Sequence, residues 1–107
     1  MTPEQSDSMT ADGLPDYMRF ITGNPADSEA LEAIAAELRG ARAKWPPINS
    51  AHEGYAVILE EVDEFWQHVL AKQRDRDPEA MYAELIQVAA MAVRTASDVI
   101  AAGRCRS

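Results

Sequence analysis

The chain has 107 residues, a formal net charge of −8 and 47% hydrophobic residues. That is one domain's worth of chain, too apolar for wholesale disorder and too acidic for a nucleic-acid or anionic-membrane surface, which needs a basic stripe. One cysteine, Cys105, excludes a disulfide framework and a zinc quartet. With no signal peptide and no apolar run of about 18 residues, a cytoplasmic protein is expected.

Residues 1–26 read as a flexible N-terminal tail carrying a short helical arm, and residues 27–107 as a helical domain. The arm rests on Leu14, Tyr17, Met18, Phe20 and Ile21, with Gly23 as a stop. The first long helix is predicted over 27–44 with Asp27 as N-cap. Leu31, Ile34, Leu38 and Ala41 give it a narrow apolar stripe, from which Glu29, Glu32, Glu37 and Arg39 fall away. Pro46 and Pro47 then end it, because consecutive prolines cannot continue a helix.

Ser50-Ala51-His52-Glu53 fits a capping box, so a second helix is predicted from there to about residue 73. After the turn 74–77, Asp77 caps a third helix with Pro78 at its first position, continuing to Ala102 before Gly103. No useful strand-like alternation occurs. The expectation is an all-α fold: an antiparallel bundle of two long helices plus one or two shorter ones. A core this small is thin, since about 60–65% of the unfolded surface is buried at such lengths, and oligomerisation is expected to complete it.

The second helix is sharply divided. At about 100° per residue, Glu60 and Glu64 fall within roughly 20° of Glu53, with Glu61 and His68 to one side and Asp63 to the other. Tyr55, Ile58, Leu59, Val62, Phe65, Trp66, Val69 and Leu70 fill the opposite half. A solvated face usually mixes signs, yet Glu53, Glu60, Glu61, Asp63 and Glu64 meet no Lys or Arg before Lys72. On the third helix Glu84, Gln87, Arg94 and Asp98 form a polar strip with apolar residues on both flanks, so Glu84 is expected in a covered place that needs a cation or a hydrogen-bond donor. An antiparallel pairing can set Glu84 opposite Glu61 and Glu64.

Carboxylates converging between two helices make a hard-oxygen site suited to Mg²⁺, with Mn²⁺ as a substitute. Di-iron bundles need Glu-x-x-His, whereas Glu64 and His68 are four apart. HEGYA lacks the second histidine of a zinc-protease helix.

Glu61-x-x-Glu64, nineteen intervening residues, then Glu84-x-x-Gln87 resembles the ExxE…ExxD signature of the MazG-like all-α nucleotide pyrophosphohydrolases. The likeness spans roughly residues 38–102, and KWPPINSAHEGYAVILEEVDEFWQHV looks like a phage and bacterial branch. The resemblance implies cleavage of nucleoside or deoxynucleoside triphosphates between the α- and β-phosphates, giving a monophosphate and pyrophosphate. It also implies Mg²⁺ held by the two acidic motifs, and a homodimer or homotetramer. Metal-ligand roles then fall to Glu61, Glu64 and Glu84, with Glu60 on a second metal or orienting water, and Glu60 or Glu64 as proton acceptor. Gln87 departs from the signature, because an amide ligates but carries no charge and accepts no proton as a base.

Around this set, Gln87 and Arg94 are candidate substrate contacts, Arg94 either reaching phosphate oxygens or pairing with Asp98 or another subunit. Trp45 either stacks on a base or plugs the bundle end, and Asn49 can read a base edge. The alternative reading is a helical interaction or nucleotide-sensing module that keeps the bundle without turnover.

Overall fold

A computed structural model describes residues 22–105; the expected tail and arm lie outside these, apart from the residues just before the first helix. Among the described residues all regular structure is helical. Helix α1 spans Pro25–Lys44, α2 Ala51–Leu70 and α3 Pro78–Thr95, with a 3₁₀ turn at Gln73–Asp75 and a π-helical turn at Ala96–Ala101. Helix α3 is central: it packs antiparallel along α2 and also against α1. No described helix is long and apolar enough to cross a membrane.

Local chemistry sets each boundary. Helix α1 begins earlier than expected, because Asn24 rather than Asp27 is its N-cap: Asn24 Oδ1 accepts from Ala26 N at 2.9 Å, and Pro25 follows at N1. Asp27 instead accepts from Thr22 Oγ1 at 2.7 Å. Ser50 caps α2, its hydroxyl accepting from Glu53 N at 3.1 Å. The reciprocal half of the box is displaced by one residue, for Glu53 Oε2 accepts from Asn49 N rather than from Ser50. Helix α2 stops at Leu70, short of residue 73, where Arg76 Nη2 donates to the Val69 carbonyl at 2.7 Å and satisfies an end the helix would otherwise have to cover. Asp77 caps α3 as expected, accepting from Glu79 N and Ala80 N.

Geometry requires glycine at several positions, Gly54 and Gly103 among them. Gly54 lies where α2 crosses α3: a Cβ there would stand 2.7 Å from Thr95 Oγ1, so the helices approach this closely only with hydrogen at that position. Gly103 adopts φ +76 and ends the last turn, with Arg104 N donating to the Val99 carbonyl at 2.7 Å. The preceding π turn has an identifiable cause. Thr95 Oγ1 donates to the Met91 carbonyl and Ser97 Oγ to that of Val93, and such back-bonding competes with the ordinary ladder.

The core is thin, as the length suggests. Ala41, Ile48, Ala90, Met91 and Val99 are the buried apolar residues among those described. By contrast Tyr55, Leu59, Val62, Trp66 and Leu70 on α2 remain exposed, at spacings of three and four that place them on one stripe. Tyr82, Leu85 and Val93 on α3, and Ile100 in the π-helical turn that follows, are exposed as well.

Candidate metal centre

The loop joining α1 to α2 is held by the end of α3. Asp98 is buried, and its Oδ2 accepts from the backbone N–H of Ile48 at 2.9 Å while Oδ1 accepts from Arg42 Nη1 at 2.5 Å. Burial opposes ionisation there, but the Ile48 N–H, Arg42 and then Arg94 together hold the carboxyl below its ordinary value. Arg94 does not take Asp98 as a salt-bridge partner. Its Nη2 donates to the Pro46 carbonyl at 2.9 Å, its Nη1 lies 3.7 Å from Met91 Sδ, and only 5% of the residue is exposed. Its Nε is buried with no hydrogen-bond partner.

Between α2 and α3, Glu61, Glu64 and Glu84 come together, each offering a carboxylate oxygen within 4.8 Å of the others. Register brings this about. Glu61 and Glu64 are one turn apart on α2, and the short connection over 71–77 returns α3 so that its second turn, with Glu84, lies alongside. Like charges at this spacing in a half-covered site cannot all ionise cheaply. The Glu61 carboxyl is pushed up to about 7 from 4.5, first by burial, then by Glu64, Glu84 and Glu60. Glu84 is raised too, by burial first and then by Glu64, with Glu61 and His68 acting in the opposite direction. Glu84 Oε2 is buried and has no hydrogen-bond partner.

The donor set therefore fits a hard dication. It has three carboxylates, one bearing an unsatisfied buried oxygen, and no nitrogen or sulfur ligand within the cluster. Glu60 lies outside this triad. It is exposed, contributes charge to Glu61, and lines a neighbouring cleft of about 450 Å³ together with Trp45, Glu53, Met91 and Arg94. A second cleft of about 390 Å³ is lined by Glu37, Lys44, Gln87 and Arg94. Glu61, Trp45, Met91 and Arg94 border both.

Trp45 closes α1 as its C-cap and is 56% exposed, so it is no buried plug within this chain; the Lys44 ammonium lies 5.2 Å from its ring centroid. Asn49 is exposed at the start of α2, its backbone N–H engaged by Glu53. His68 is half-buried and faces Glu84 electrostatically.

Glu37 is the residue the α1 pattern misplaced. Expected to point away from the packed side, it accepts from Gln87 Nε2 through Oε1 at 2.7 Å and is half-buried. The signal was its spacing: Glu37 lies one turn before Ala41, the buried edge of the apolar stripe, and so borders the packed side of the helix.

Comparison with protein-family models, curated proteins and solved structures gives no match to this chain.

Proposed function

We propose that the protein is a Mg²⁺-dependent nucleotide pyrophosphohydrolase of the MazG-like kind, cleaving nucleoside or deoxynucleoside triphosphates between the α- and β-phosphates. The observation that carries this reading is the Glu61–Glu64–Glu84 cluster, whose oxygens lie within 4.8 Å of one another and whose Glu84 Oε2 has no donor. The spacing of EExxE and ExxQ supports it from the sequence side. Glu61, Glu64 and Glu84 would hold the ion. Bound there, Mg²⁺ would supply neutralisation of charge on phosphate oxygens and activation of the attacking water.

The chain's own groups do the rest. Glu64, exposed at the edge of the cluster, or the neighbouring Glu60, takes the proton of the attacking water. As the new P–O bond forms, the bond from the α-phosphorus to the bridging oxygen breaks, and pyrophosphate leaves with the electron pair. Arg94 and Lys44 offer positive charge to the phosphates from the adjoining cleft. Trp45 offers a ring face to a base, and Asn49 a side-chain amide to its edge. The second reading, a nucleotide-binding module without turnover, draws on Gln87, which supplies no charge where the signature has Asp.

A panel of ribo- and deoxyribonucleoside triphosphates with Mg²⁺, assayed for pyrophosphate, separates the two. Release from at least one triphosphate, lost in Glu61→Gln, is the expected result. No release from any triphosphate, with nucleotide binding retained, favours the module.

The assembly we propose is a homodimer or homotetramer. The apolar stripes of α2 and α3 leave Tyr55 at 66% and Trp66 at 52% exposure in the single chain, and an identical pair of stripes from a second copy would complete a four-helix bundle. Sedimentation equilibrium should give at least twice the chain mass, with Trp66→Glu shifting the protein toward monomer. A wild-type monomer at micromolar concentration would contradict this.

A further inference from the structure

Gln87 raises a chemical question that the acidic triad does not. An amide side chain has two unlike ends, and only its oxygen suits a cation or accepts a proton from water. Which end faces the site is decided by what holds the other. Glu37 Oε1 lies 2.7 Å from the Gln87 amide nitrogen, and an ionised carboxylate only accepts, so it must engage the NH₂ end. The Gln87 oxygen is thereby turned away from Glu37. Gln87 and Glu61 line the same cleft, and Glu84 sits one turn before Gln87 on α3.

We infer that Glu37 is a positioning residue: from α1 it locks the Gln87 amide with its oxygen toward the carboxylate site, so that Gln87 serves as a neutral oxygen donor. This inference rests on the cation-binding reading of Glu61, Glu64 and Glu84. Without the lock, the amide turns over freely and presents NH₂ to the same place. There it would repel a cation and tie up a neighbouring carboxylate by donating to it. Helix α1 thus takes part in the site although none of its residues belongs to the triad.

Mn²⁺ binding to the full chain, followed by the loss of the free-ion electron paramagnetic resonance signal, tests this. Glu37→Gln keeps the side chain's size and can still hydrogen-bond Gln87, but no longer dictates which end of the amide is held. It should weaken Mn²⁺ about tenfold, the lower range for loss of a ligand-orienting partner. The reciprocal swap, Glu37→Gln with Gln87→Glu, lets the amide at position 37 donate to a carboxylate at position 87. It should return affinity to within about threefold of wild type or better. Glu29→Gln, on the exposed part of α1, removes the same charge as a control and should leave binding unchanged. Glu37→Gln binding as tightly as wild type, or a swap as weak as the single variant, overturns the inference alone. A wild type that binds no Mn²⁺ overturns the cation reading and this inference with it.

Discussion

Replacing Glu84 by Gln should make the metal-free protein more stable while lowering Mg²⁺-dependent pyrophosphate release at least about 100-fold, beyond the range for loss of a merely orienting partner. Both effects follow from one cause. In the absence of a cation, three carboxylates share a half-covered site, and Glu84 Oε2 finds no donor. The substitution removes one negative charge and supplies an NH₂ group to the other two. Relief of this kind is worth about 1–2 kcal/mol and grows with pH as more of the cluster ionises.

The pH dependence has a definite sign. Glu61 in the folded chain titrates near 7 rather than 4.5, so between these values the native state holds a proton that the unfolded state has lost. Wild-type stability therefore falls as pH rises from about 4.5 to about 7. Glu84→Gln should flatten that fall. Melting curves at pH 5 and pH 8 without divalent ions read it directly; a variant less stable than wild type at pH 8 would be inconsistent with a repulsive triad.

Asp98→Ala should cost about 3 kcal/mol and lower the melting temperature by about 10–20 °C at fixed protein concentration. Removing this carboxylate leaves the Ile48 N–H unpaired in a place where Ile48 is only 1% exposed. It also strips Arg42 of its carboxylate partner, leaving only the bond to Ser97 Oγ, and Arg94 of a nearby counter-charge. Because the folded carboxyl is held below its ordinary 3.8, the contribution is fully present above about 4 and disappears as pH falls through the folded value. The gap between wild type and variant should thus close in acid. The same anchor fixes the loop that carries Trp45, so the variant should also raise KM for the triphosphate. An unchanged melting temperature at pH 7 would mean that the loop is held elsewhere.

Much of this was legible in the sequence, for physical reasons that can be named. Asp77-Pro78 and Ser50 mark helix starts because their side chains cap locally, needing nothing from the rest of the fold. Glu61, Glu64 and Glu84 were legible because spacing on α2 and a short turn together fix their register. What escaped depended on contacts between distant segments. Asn24 and Asp27 are both good caps, and Pro25 settles the choice in favour of Asn24. The Glu37–Gln87 bond spans fifty positions and depends on how α1 lies on α3. Asp98 looked like one more polar residue on a strip, whereas it pins the Pro46–Ile48 loop through a backbone N–H that no pattern of side chains announces. The early end of α2 likewise depends on Arg76 reaching back to Val69.

Isothermal titration of Mg²⁺ or Mn²⁺ into the wild-type chain and into Glu61→Gln at pH 7.5 probes most directly whether crowded acid groups on two paired helices are held ready for a dication. Saturable uptake by the wild type, with protons released on binding and affinity lost in the variant, is what the structure leads us to expect. Heats no larger than dilution for the wild type, or identical isotherms for both proteins, would contradict it.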